Sequence, residues 1–213
     1  MNNLDGVMVI GLTGQTGSGK TTACRIFRDN GFAVINADEV ARSIMNPGTV
    51  CLKEVADCFG AHILNEDMSL NRQKLADIVF NNPKKLELLN SISYPHITSE
   101  ILALIRENSS KGNKLILLDA PTLFESRADD FCEIIISVIA DEETRLRRIM
   151  ERDGLTEEQA LSRMKSQHNE KFFVDNSDFI IKNNDGISGL DDIVNEMSAK
   201  IKAYYINKFK DLE

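Results

Sequence analysis

Little in this chain could build a metal cage, a disulfide frame or a membrane span. Its four cysteines, Cys24, Cys51, Cys58 and Cys132, are scattered without a Cys-x-x-Cys pair, and His62, His96 and His168 lack ligand-like spacing. That argues against a structural zinc site or a disulfide scaffold, and the cysteines are expected as small buried apolar side chains. No apolar run approaches the roughly 20 residues that a spanning helix needs. The N-terminus also lacks the basic and apolar regions of a signal peptide, so a soluble, cytoplasmic protein is expected. Basic residues are in short supply: 25 Lys and Arg face 33 Asp and Glu, a formal charge of −8. Such a balance excludes general affinity for nucleic acid or anionic membrane. Any anionic ligand must therefore be held by a local basic site. The 42% hydrophobic content of the 213 residues is enough for the core of one α/β domain with an elaboration.

What is present is a Gly-x-x-x-x-Gly-Lys-Thr run, Gly14-Gln15-Thr16-Gly17-Ser18-Gly19-Lys20-Thr21. A nucleoside triphosphate presents several negative charges in a row, and a loop holds them only if its backbone N–H groups converge on the phosphates. Glycines permit that convergence. Lys20 would bridge the β- and γ-phosphates and the Thr21 hydroxyl would ligate Mg²⁺ at the start of a helix. The context agrees. Val7 to Leu12 is a short apolar run suited to a buried strand, and Thr22 to Asn30 carries Ala23, Ile26 and Phe27 on one helical face before Gly31.

Further strands are predicted at Phe32–Ile35, at Lys114–Leu118 ending in Asp119, at Glu133–Ala140 and at Phe179–Ile181. Between the second and third lies a helical stretch through Met45, then a block from about Leu52 to Ser110 with helical periodicity and no strand after Leu64. A charged helix follows over Asp141 to Asp153, another from the capping-box sequence Thr156-Glu157-Glu158-Gln159, and an amphipathic helix runs to Phe209. Strands alternating with helices imply a parallel, helix-covered sheet, with its ligand site beyond the carboxyl ends of the strands. The polar residues there are the loop 14–21, Asp38, Asp119 and Asp141.

Asp38 could accept a proton from, or orient, a hydroxyl attacking the γ-phosphate; helix capping suits its position equally well. Asp119 is placed to reach Mg²⁺ directly or through water. Arg145, Arg147, Arg148 and Arg152 crowd into eight residues. Pairs Asp141–Arg145 and Glu143–Arg147 at i,i+4 spacing account for two of them. Arg148 and Arg152 repel each other, and a phosphate beside them would relieve the cost. Arg163 is a further candidate. The histidines receive no role.

The ordered set Gly11 to Thr21, Asn36-Ala37-Asp38, Ala41-Arg42, Pro47-Gly48, Phe59-Gly60, Leu70-Asn71-Arg72, Asp119-Ala120-Pro121-Thr122-Leu123-Phe124-Glu125, Arg148, Arg152-Asp153, Arg163 with Gln167, Glu170-Lys171, Ser177-Asp178 and Asn183-Asn184 resembles the dephospho-CoA kinase family. The resemblance covers nearly the whole chain. It implies a P-loop NTPase fold of the nucleoside-monophosphate-kinase-like group over 1–213, with a helical CoA-binding insertion at about 61–111 and a lid at about 145–170. The implied reaction is ATP-dependent phosphorylation of the ribose 3′-hydroxyl of dephospho-CoA, giving coenzyme A and ADP. In that scheme Asp38, Lys20 and Arg148 are catalytic, and ATP is held by Gly14 to Thr21, Thr22, Arg148, Arg152 and Asn183. Thr21 and Asp119 would hold Mg²⁺. A monomer is the default expectation, with a homo-oligomer as its alternative.

Three positions depart from the family pattern. Asn36 replaces a usual Asp, Tyr94-Pro95 stands for a frequent His-Pro, and Thr122 replaces a usual Leu. Two rival readings follow from the residues. Another small-molecule kinase would share loop and lid but not the acceptor. A GTPase-like switch would use Asp57-Cys58-Phe59-Gly60, yet Asn207-Lys208-Phe209-Lys210 lacks the Asp of the guanine-selecting Asn-Lys-x-Asp.

Overall fold

The computed structural model describes residues 6–185 and 187–210; the ends of the 1–213 domain reading lie outside them. Strand β1 (Met8–Gly14) is buried along its whole length, as its unbroken apolar run requires of a central parallel strand. It pairs in parallel with β3 (Leu115–Asp119) on one side and β4 (Ile134–Ile139) on the other. β4 pairs in parallel with β5 (Phe179–Lys182). With β2 (Ala33–Asn36) beside β3, the order is β2-β3-β1-β4-β5. The predicted strands stand within one or two residues of their expected bounds.

The register carries functional weight. Leu12 is level with Asp119, and Gly14 with Val138, so the loop after β1 and the carboxylate ending β3 emerge at the same edge of the sheet. That edge is the carboxyl one, where open parallel sheets bind ligands.

Helix α1 (Lys20–Asp29) buries Ala23, Cys24, Ile26 and Phe27, the face expected from their spacing. The core joins Met8, Ile10 and Leu12 of β1 to Phe27, to Ile136 and Val138 of β4, and to Leu190, Val194 and Ile201 of the terminal helix α9 (Ile187–Lys208). Phe27 and Phe32 meet edge-on, centroids 5.2 Å apart. Between β4 and β5 come α6 (Glu142–Asp153), α7 (Glu157–Lys165) and α8 (Glu170–Asp175). The capping box at Thr156 is formed in both directions with Gln159. Six residues long and opened by the Asn169 side chain, α8 is too short to announce itself by periodicity and is an addition to the predicted elements.

The chain divides into two compact units, Met1–Ile35 with Arg106–Glu213, and Asn36–Ile105. The second contains α2 (Ala37–Ser43), α3 (Val50–Phe59), α4 (Arg72–Phe80) and most of α5 (Pro83–Ser110). Its own core gathers Ile44, Met45, Cys51, Val55, Ile63, Leu75 and Val79. The helical block holds as expected, apart from one antiparallel bridge between Leu64 and Leu70. A surface cavity of about 430 Å³ runs along α5, lined by Pro83, Leu86, Glu87, Asn90, Ser91 and Tyr94. No helix among the described residues is long and apolar enough to cross a membrane.

Candidate active site

The loop from Gly14 to Gly19 is held from several sides at once. Gly14 has φ 151° and lies so close to β4 that a side chain there would overlap the Val138 carbonyl. Gln15 N–H donates to that carbonyl at 3.2 Å, and the Gln15 side chain is buried, making it part of the loop's footing. Thr16 N–H donates to Gln167 Oε1 at 2.7 Å. Ser18 is buried; its N–H donates to the Gln15 carbonyl at 3.2 Å. Its carbonyl accepts from Asn183 Nδ2 at 2.7 Å. Gly19, in the left-handed conformation, caps α1 and has no room for a Cβ beside that same amide nitrogen.

Asn183 was expected among the ATP-binding residues. It is buried, donates its backbone N–H to Ile139 at 2.9 Å, and spends its amide nitrogen on the loop backbone. In this structure it fixes the shape of the loop from within.

Lys20, the first residue of α1, makes an ion pair with Asp119 Oδ1. Both side chains are largely buried, 14% and 11% exposed, a depth at which charges pair or titrate. Cys24, one turn along α1, faces the same carboxylate. Burial first, and then the negative charge of Asp119, push its thiol up to about 11, so it stays a neutral donor at physiological pH. Thr21 stands exposed at the start of α1, with half-buried Thr22 beside it. A hydroxyl and a carboxylate at the same loop form a donor set that fits magnesium. That ion uses one or two protein oxygens and takes phosphate and water oxygens for the rest.

The arginines separate into distinct groups. Arg148 Nη1 donates to the carbonyls of Gly17 (3.4 Å), Ser18 (3.5 Å) and Asn183 (3.0 Å), which draws its guanidinium against the phosphate loop. Burial, and then the charge of Arg147, lower its pKa. Arg152 is instead gripped by the next residue: Nε and Nη2 donate to the two oxygens of Asp153, each at 2.8 Å. Arg163 donates to Asp153 at 2.6 Å. Asp153 thus supplies the relief of repulsion that was expected from a phosphate near Arg152. Arg145 departs from the expected surface pair with Asp141. It is 9% exposed, its Nε has no hydrogen-bond partner among the described residues, and burial lowers its pKa; what joins it to Asp141 is the backbone hydrogen bond of the first helical turn.

In the second unit, Asp38 lies exposed in the first turn of α2, just past β2. The capping role left open for it belongs to Asn36, whose Oδ1 accepts from the N–H of Asp38 (3.0 Å) and of Glu39 (3.2 Å). Among the described residues the Asp38 carboxylate has no hydrogen bond or ion pair, so it is available to a substrate. Asp57 to Phe59 lie in the last turn of α3, with Gly60 as its cap, and Asn207 and Lys208 end α9. Helical backbone in both places removes the loop context that a guanine-nucleotide switch needs.

A parallel sheet whose central strand opens into this loop, with a buried lysine–carboxylate pair and an arginine against the loop, defines a P-loop kinase. The dephospho-CoA kinase family model matches residues 8–189, and the chain belongs to that family. A dephospho-CoA kinase from Carboxydothermus hydrogenoformans is 42% identical over 179 residues, 84% of this chain and 87% of the relative. Among solved structures, TT1252 from Thermus thermophilus superposes with a TM-score of 0.76 at 28% identity, covering 91% of this chain and 97% of that one. A dephospho-CoA kinase from Campylobacter jejuni superposes at 0.62 and 26% identity, covering 92% and 98%. The chain is accordingly a kinase that uses ATP to phosphorylate dephospho-CoA, the last step of coenzyme A biosynthesis.

Gln167 and Cys24 were given no role from sequence, although both touch this site. Gln167 fell within the matched family positions. Nothing in the spacing of Cys24 distinguishes it from a core residue.

Proposed function

We propose that the transferred phosphate goes in line to the ribose 3′-hydroxyl of dephospho-CoA, with the labour divided as follows. The loop Gly14–Thr21 and Thr22 hold the ATP phosphates. Lys20 and Arg148 neutralise the charge that spreads over the transferred group, and Asp38 orients the attacking hydroxyl and takes its proton. Arg152 supports the lid through Asp153 and turns to phosphate only when that pair opens. Thr21 and Asp119 would hold Mg²⁺, which when bound shields the β- and γ-phosphate oxygens. Positioning and electrostatics carry most of the acceleration in such transfers.

The observation that carries this reading is the position of Arg148, whose guanidinium lies on the Gly17 and Ser18 carbonyls while Lys20 pairs with Asp119. Three charged groups thereby converge on one loop from β3, α1 and α6. We assign acceptor binding to the helical segment of about 61–111 and closure over ATP to the segment of about 145–170 within a single 1–213 kinase domain. Every group invoked belongs to one chain, so a monomer suffices. The free cysteines fit a reducing, cytoplasmic setting.

ADP release from Mg-ATP, with and without dephospho-CoA, tests the assignment, with mass spectrometry locating the new phosphate. The expected result is acceptor-dependent ADP matched by 3′-phosphorylated product. Asp38→Ala should lower kcat by about 10²- to 10⁴-fold, the usual reach of a positioned acid–base group, with an unchanged melting temperature. ADP formation indifferent to acceptor in a folded, ATP-binding protein would overturn the substrate. A fully active Asp38→Ala would remove that carboxylate from the mechanism.

A further inference from the structure

Thr16 N–H belongs to the phosphate cradle, yet it is taken by a side chain 151 positions away, Gln167, at 2.7 Å. An N–H can donate only to the oxygen end of a carboxamide, so this contact fixes the orientation of the amide. Oε1 rests on the loop, and Nε2, with its two N–H donors, stands beside it in the same plane. Among the described residues Nε2 makes no hydrogen bond. A pair of neutral donors is thus held, unspent, against a loop built for anions.

The backbone that carries Gln167 is fixed on both sides. Gln167 N–H donates to the Met164 carbonyl at 3.3 Å, and Ser166 Oγ donates to the Arg163 carbonyl at 2.8 Å. His168 stacks on Phe172, centroids 3.7 Å apart and rings 14° from parallel, and its Nε2 is 3.4 Å from Glu125 Oε1. Phe172 in turn meets Phe124 edge-on at 5.3 Å. The α7–α8 connection is thereby joined to the segment that follows Asp119, and its one inward carboxamide lies on the loop that follows β1. Such preorganisation is what a donor aimed at a charged reactant needs.

We propose that Gln167 is a phosphate-contacting residue of this kinase: Oε1 stays on Thr16 N–H while Nε2 donates to an oxygen of the ATP phosphates. The proposal rests on the reading of the chain as an ATP-dependent kinase. It adds to Lys20 and Arg148 a donor without charge, whose contribution comes from geometry alone.

Two substitutions separate this role from that of a strut. Gln167→Glu preserves the shape and an oxygen for Thr16 N–H but turns the donor end into a negatively charged acceptor facing phosphate. Gln167→Ala removes both ends. The measurements are the Kd for Mg-ATP by titration calorimetry and the inhibition constant of adenosine, which has no phosphates. Gln167→Glu is expected to weaken ATP binding by more than tenfold and by more than Gln167→Ala does, with the adenosine constant unchanged in both. Near-normal ATP binding by Gln167→Glu beside a weak Gln167→Ala would reduce the residue to a strut and overturn the proposal, as would normal binding by both. Should Gln167→Ala melt early, Gln167→Met, equally long and without polar ends, replaces it. Wild-type protein that binds Mg-ATP but forms no ADP with dephospho-CoA sinks the acceptor assignment alone, and leaves the comparison of Gln167 variants intact.

Discussion

At Asn36 one carboxamide oxygen accepts two of the N–H groups that the start of a helix leaves without intrahelical partners. Aspartate caps as well as asparagine, whereas alanine loses about 1 kcal/mol. Asn36→Asp should therefore leave α2 intact, and Asn36→Ala should speed amide exchange at Asp38 and Glu39 by roughly fivefold, the equivalent of that loss; equal exchange in both variants would deny Asn36 its capping role. The departure from the family's usual Asp thus keeps the cap and gives up only a charge. The places of Asp38 and Lys20, just past β2 and at the start of α1, were legible because a strand followed at fixed spacing by a polar residue is a pattern in the sequence itself. The positions of Asn183 and Arg152 were legible but their contacts with Ser18 and Asp153 were not. Whether an amide faces the loop backbone or a ligand, and whether an arginine turns to a phosphate or to the aspartate beside it, depends on contacts between side chains that no spacing encodes. The same holds for Cys24, set against Asp119 by the pitch of α1 and the register of β1 on β3.

Helix α7 links the chemistry of Gln167 to the chemistry of its own first turn. Thr156 Oγ1 accepts from Gln159 N–H at 3.3 Å, and the Gln159 side chain accepts from Thr156 N–H at 3.0 Å. Removing the hydroxyl breaks half of this box, at a cost of about 1 kcal/mol. Because α7 leads directly into the turn that presents Gln167, Thr156→Ala should raise amide exchange through Gln159 to Met164 and raise the KM for ATP a few-fold with little change in kcat. An unchanged KM beside faster exchange would mean that the order of α7 and the set of Gln167 are independent. This capping box was readable because its two partners lie three residues apart. The strands were readable because buried parallel strands are nearly continuous apolar runs, as in Ile134-Ile135-Ile136-Ser137-Val138-Ile139. Helix α8 was not, since six residues span less than two turns. Nor did helical periodicity reveal the bridge from Leu64 to Leu70, which depends on the turn around Asp67 and Ser69.

Across the whole molecule, the sheet brings together residues far apart in sequence, and the same packing buries the Cys24 thiol in its core and partly covers that of Cys132. Burial and the nearby Asp119 hold Cys24 at about 11, and burial pushes Cys132, packed against Gly11 of β1, up to about 12. An unfolded cysteine ionises near 8.5. Below about pH 8 both states keep these protons, and the thiols give stability no slope with pH. From about pH 8.5 upward the unfolded chain releases protons that the native state retains. The unfolded state then binds fewer protons, and stability falls as pH rises. The fall continues until the native thiols ionise, near 11 for Cys24 and 12 for Cys132. Each contributes up to about 1.4 kcal/mol per pH unit within its window. Denaturation midpoints from pH 8 to 11 should thus decline more steeply in the wild type than in a Cys24→Ala, Cys132→Ala double variant. The cavities left by alanine lower the variant's stability by a nearly constant amount at every pH, so the difference in slope isolates the ionisation. Parallel slopes would show that the thiols titrate alike in both states, and that the alkaline limit is set by other groups.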